Sequence, residues 1–120
     1  PTKEERIQAS KGEEMTVNVL GTEYTIKKSN AADDINLLEM DGYCDPTTKT
    51  IVINTFKDTP ESVDDLDEYE RKVVRHELTH AFLSESGLGC CSWAAKEEIV
   101  DWIAYQFPKL QKAFEQAKCI

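Results

Sequence analysis

The chain has 120 residues, of which 40% are hydrophobic and 31% charged; this suits one soluble domain (1–120) able to bury a core without disulfide staples. Its net charge of −9, from 23 acidic and 14 basic residues, repels phosphate backbones, so nucleic acid is not an expected partner. No apolar run is long enough to cross a membrane and no N-terminal stretch reads as a signal peptide, so neither membrane insertion nor export is expected.

The first half carries strand signals. Thr16 to Leu20 and Glu23 to Lys28 predict a hairpin turning at Gly21-Thr22. Ala31 to Glu39 reads as a short helix or a loop, with capping chemistry in Ala32-Asp33-Asp34. Gly42 to Cys44 and Thr50 to Asn54 predict a second hairpin, turning through Asp45-Pro46-Thr47-Thr48. Ile51-Val52-Ile53 has the highest strand propensity in the chain.

The second half is helical. Thr59 can cap a helix and Pro60 suits a first helical position, with the regular helix starting nearer Asp64 and running to about Ser86, where Gly87 stops it. The acidic run from Asp58 to Glu70 holds seven carboxylates and no base. It reads as the start of that helix, where carboxylates favour the macrodipole; no EF-hand pattern argues for calcium. Leu66, Tyr69, Val73, His76, His80 and Leu83 share one face. Val74, Leu78, Ala81 and Phe82 extend apolar character around most of the circumference, and Lys72, Arg75 and Thr79 leave a narrow polar stripe. Such a helix is expected at the centre of the fold, covered on more than one side. Ser92 can cap a further helix through about Phe107, and Pro108 opens or kinks a last one ending near Lys118.

Cys44, Cys90, Cys91 and Cys119 form no C-x-x-C pattern, so free thiols in a reducing cytoplasm are expected. Cys90 and Cys91 fall between candidate metal-ligand segments, but a fourth protein ligand would close the position that a catalytic metal keeps open.

The chemistry-bearing stretch is His76-Glu77-Leu78-Thr79-His80, which contains the only two histidines. Histidines four apart on a helix lie one turn apart on one face, so both imidazoles can meet one tetrahedral Zn2+. Glu77 is rotated about 100° from His76, which sets its carboxylate beside the metal, where it can act on water without ligating the ion. The competing reading is a pair of core histidines, but H-E-x-x-H arises by chance in roughly a few per thousand chains this short. A third protein ligand is required. Glu97 is the expected one, with Asp101 one turn later accepting the outer ring N–H of a ligating histidine. Glu98 and Asp101 are the alternative ligands, and a solvated Glu97-Glu98 surface pair is the competing structural reading.

H-E-x-x-H followed by E-x-x-x-D within Glu97-Glu98-Ile99-Val100-Asp101-Trp102-Ile103-Ala104 resembles the gluzincins, and in length and downstream segment the ImmA/IrrE-like and minigluzincin peptidases of bacteria, archaea and phages. The resemblance covers about Val73 to Pro108. It implies a small α+β zincin-like domain: an N-terminal twisted sheet packed on a central H-E-x-x-H helix, then a C-terminal helical segment. It implies one Zn2+ per chain held by His76, His80 and Glu97, with Glu77 as general base and Asp101 behind the first histidine. Ile51, Val52, Ile53 and Asn54 would form the edge strand that binds an extended peptide substrate. The expected partner is a flexible segment of a protein, with a repressor or other regulator as a candidate target, and the expected location is the cytoplasm. The chain departs from the pattern in lacking a third histidine for the oxyanion; Tyr43, Tyr69, Tyr105 and Arg75 are the candidates to replace it. A zinc-stabilised but non-catalytic domain and a regulatory domain on a peptidase scaffold are the alternative functions.

Overall fold

A computed structural model describes residues 14–56 and 65–120. The described residues form an α+β domain: a four-stranded mixed sheet and two helices. Strands β1 (Glu14–Val19) and β2 (Thr22–Ser29) form an antiparallel hairpin in which Val19 faces Thr22. The turn is therefore Leu20-Gly21, one residue earlier than expected. Both turn residues have positive φ (52° and 93°), as the type I′ hairpin turns require, and Asn18 Oδ1 accepts from the Gly21 N–H at 2.8 Å. A single 3-10 turn, Ile35–Leu38, follows, capped by Asp34 through the Asn36 N–H.

Strands β3 (Gly42–Asp45) and β4 (Thr50–Asn54) form the second hairpin. The sheet order is β1-β2-β4-β3, with β4 parallel to β2 and antiparallel to β3. This corrects the expectation that Ile51 to Asn54 is an edge strand. Both ladders of β4 are occupied, and Ile51, Val52 and Ile53 are all buried. An uninterrupted β-branched run is the pattern of a strand covered on both faces, and the edges of the sheet fall to β1 and β3.

Helix α1 (Leu66–Glu85) begins at an Asp65 cap that accepts from the Glu68 N–H at 3.0 Å. The expected start at Thr59-Pro60 lies outside the described residues. The helix closes at a Ser86 cap followed by Gly87, whose φ of 80° permits the left-handed turn: Gly87 N–H donates to Ser84 O and Leu88 N–H to Leu83 O. Val73 and Ala81 of α1 meet Val19, Tyr24, Ile26, Ile51 and Ile53 in the main core. Gly42 lets β3 approach, because a side chain there would stand 2.9 Å from Val52 O and 3.2 Å from the Val73 methyl. The sheet covers one side of α1 and α2 another; Phe82 on the remaining side is exposed.

Helix α2 (Glu97–Gln116) corrects two expectations. Its cap is Lys96 and not Ser92, which lies in a turn, and it runs unbroken through Pro108. Proline leaves the carbonyl four residues earlier without its helical donor. That carbonyl belongs to Ala104, and Arg75 Nε of α1 donates to it at 2.6 Å. A residue from the neighbouring helix thus replaces the missing hydrogen bond. No helix among the described residues is long and apolar enough to cross a membrane.

Candidate metal centre

Helix α1 presents His76 and His80 on the face turned to α2, and their rings lie edge to face at 4.9 Å. Glu77, rotated toward the sheet, is buried, with 6% of its surface exposed. The ligand atoms of His76, Glu77 and His80 all lie within 4.8 Å of one another, and this group could hold a metal ion.

The first turns of α2 complete the arrangement. Glu97 Oε2 is 2.8 Å from His76 Nε2, and Glu97 Oε1 is 3.1 Å from His80 Nε2. On the far side of the His76 ring, Nδ1 is 3.3 Å from Asp101 Oδ1. If Nδ1–H donates to Asp101, the Nε2 lone pair faces the Glu97 carboxylate, acceptor against acceptor. Only a shared cation, a proton or a metal ion, reconciles the two. Glu97 thus lies within reach of both imidazoles, at separations somewhat below the roughly 3.3–3.6 Å between ligands on one tetrahedral ion. Glu77 Oε1 stands 4.0 Å from His76 Nε2, further off, which suits a group beside a metal. Its burial pushes the carboxyl up to about 7 against the pull of His76, with Glu97 adding to the rise.

These groups line a cleft of about 650 Å³, walled on the sheet side by Gly42, Tyr43 and Cys44 of β3. All five expected catalytic, metal and supporting side chains (His76, Glu77, His80, Glu97 and Asp101) line it, Asp101 on the far side of the His76 ring. The β4 residues Ile51 to Asn54 do not line it.

Of the oxyanion candidates, Tyr43 and Tyr69 line the cleft, but their hydroxyls donate to Asp34 and Asp41. The bond to Asp41, with burial, pushes Tyr69 up to about 12; burial and Asp34 raise Tyr43. Arg75 is committed to Ala104 O and to Glu68 at 3.1 Å, and Tyr105 lies outside the cleft wall. All four cysteines are free. Cys90 and Cys91 do not line the cleft, whereas Cys44 does, its thiol pushed up to about 11 by burial and by Glu77.

Sequence reasoning missed Lys72 and β3. Lys72, part of the polar stripe by sequence, precedes His76 by four residues and lines the cleft; that spacing is the available signal. The edge position of β3 depends on which strand β2 pairs with, and short-range patterning carries no such signal. No protein-family model, curated protein or solved structure matches the chain.

Proposed function

We propose that this chain is a zinc-dependent metallopeptidase on a zincin-like fold, hydrolysing peptide bonds in an extended protein segment. The observation that carries the reading is the Glu97 carboxylate reaching both histidine Nε2 atoms while Asp101 meets His76 Nδ1. The donor set of two imidazoles and one carboxylate is that of His2Glu catalytic zinc sites, and the sequence resemblance to gluzincins points the same way.

His76, His80 and Glu97 would hold the ion. When bound, Zn2+ polarises a carbonyl and lowers the pKa of water toward about 7. Glu77, buried beside the histidines, takes a proton from the attacking water on a carboxylate oxygen. As the C–O bond forms and the C–N bond breaks, Glu77 passes that proton to the leaving amine. Asp101 holds the His76 tautomer that leaves Nε2 free. The substrate pairs with the outer edge of β3, Gly42 to Asp45, by backbone hydrogen bonds. Such pairing requires an extended segment, so a flexible linker in a regulatory protein suits the cleft better than a folded element.

Glu77→Gln tests the reading. Metal content should be that of the wild type, while zinc-dependent cleavage of a peptide library should fall about 10²–10⁴-fold. Equal cleavage by both proteins, or none by either, would sink the peptidase assignment, and the latter would favour a non-catalytic zinc domain.

A further inference from the structure

Lys72 lies on α1 one turn before His76 and is the only lysine or arginine among the residues lining the cleft. Its Nζ stands 4.0 Å from Asp101 Oδ1, the same oxygen that lies 3.3 Å from His76 Nδ1. The ammonium also sits over two aromatic faces, 5.0 Å from the Tyr69 ring centre and 5.8 Å from that of Tyr105. Only 23% of the Lys72 side chain is exposed, against 54% for Asp101. A flexible, compact cation is thus fixed in place by rings from both helices, next to a carboxylate that has more freedom.

From this geometry we infer that Lys72 is a positioning residue that acts through Asp101 on His76 and on the seating of α2. The inference rests on the proposed metal site. Asp101 projects from the second turn of α2, where a half-exposed carboxylate has several staggered rotamers open to it. Its contact with His76, at 3.3 Å, is longer than the usual N–H···O range of about 2.7–3.2 Å and is a weak tie alone. The ammonium, at 4.0 Å and so beyond hydrogen-bond reach, adds an electrostatic pull on the same oxygen. Two α1 side chains one turn apart, Lys72 and His76, then grip a single α2 carboxylate. Because Glu97 precedes Asp101 by one turn on the same face, holding Asp101 also sets the rotation of α2 that presents Glu97 to both imidazoles.

The test measures Zn2+ affinity by chelator competition, beginning from metal-free protein. Lys72→Met should weaken binding about 10-fold, the lower end of the about 10–100-fold typical of outer partners of metal ligands. Lys72→Arg should stay within about threefold of wild type, since it keeps the charge. In an Asp101→Asn background, Lys72→Met should cost less than about twofold, because the partner it acts through is gone. Metal-free Lys72→Met should unfold at nearly the wild-type urea concentration, separating positioning from stability. An unchanged affinity in Lys72→Met would overturn the inference and leave the metal site intact; that result with altered cleavage would make Lys72 a substrate contact. Equal losses in both backgrounds would also overturn it. Wild-type protein that takes up no zinc would remove both the inference and the reading beneath it.

Discussion

Glu97 and Glu98 are neighbours in sequence, but lie about 100° apart around α2. Only Glu97 reaches the imidazoles; Glu98 is exposed and belongs to neither the cleft nor its ion pairs. Glu97→Ala should therefore lower zinc affinity by more than about 100-fold, beyond the loss typical of an outer partner, while Glu98→Ala should change it by less than about twofold. Competition against a chelating dye measures both, and the reverse ranking would move the ligand by one residue. The preference for Glu97 was legible in the sequence because it needed only helical geometry: an acid one turn before Asp101. The fate of the oxyanion candidates was not. Whether Tyr43, Tyr69 and Arg75 are free or engaged depends on Asp34, Asp41 and Ala104, partners that only the folded chain brings to them.

At the scale of the elements, α2 owes its continuity to α1. Residues Glu97 to Ala104 bury Val100 and Ala104, whereas every residue after Leu110 is exposed. Pro108 sits where the packed part gives way to the exposed part, and Arg75 supplies the donor that proline cannot. Arg75→Met should leave the Ala104 carbonyl without its partner and cost about 1–3 kcal/mol. In a Pro108→Ala background the restored N–H can bond that carbonyl, so the same change should cost markedly less. Urea unfolding of the four proteins gives the coupling, and its absence would mean that Arg75 stabilises through Glu68 alone. From the sequence, Pro108 is expected to open or kink a last helix, since proline disfavours a helix interior. The compensation comes from a residue 33 positions earlier in the chain, beyond the reach of local patterning.

For the whole molecule, Glu85 joins three pieces at the far end of α1. Its carboxylate accepts from Tyr24 OH at 2.7 Å, Thr22 Oγ1 at 3.1 Å and Lys49 Nζ at 2.7 Å, tying β2 and the β3–β4 turn to the helix. Lys49, then the two hydroxyls, hold the Glu85 carboxyl below the usual range. A carboxyl whose folded pKa is depressed adds stability above its unfolded value of about 4.3, and this is lost as pH falls through the folded value. Glu85→Gln should thus unfold more easily near neutrality and show a shallower loss of stability on acidification, measured by urea midpoints from about pH 6 down to 3. Parallel pH profiles for the two proteins would remove Glu85 from that role. The sequence by itself determined the strand-then-helix order, both hairpins and the Gly87 stop of α1, and it singled out His76, Glu77, His80, Glu97 and Asp101. All of these follow from turn chemistry or from spacings within one element, where 3.6 residues per turn leaves little freedom. Only the tertiary structure decided that β4 is interior and β3 an edge, that Lys72 enters the cleft and that Arg75 serves α2. Those outcomes depend on pairings between segments distant in sequence: strand order through the parallel β2–β4 ladder, and side-chain partners through the packing of α2 on α1.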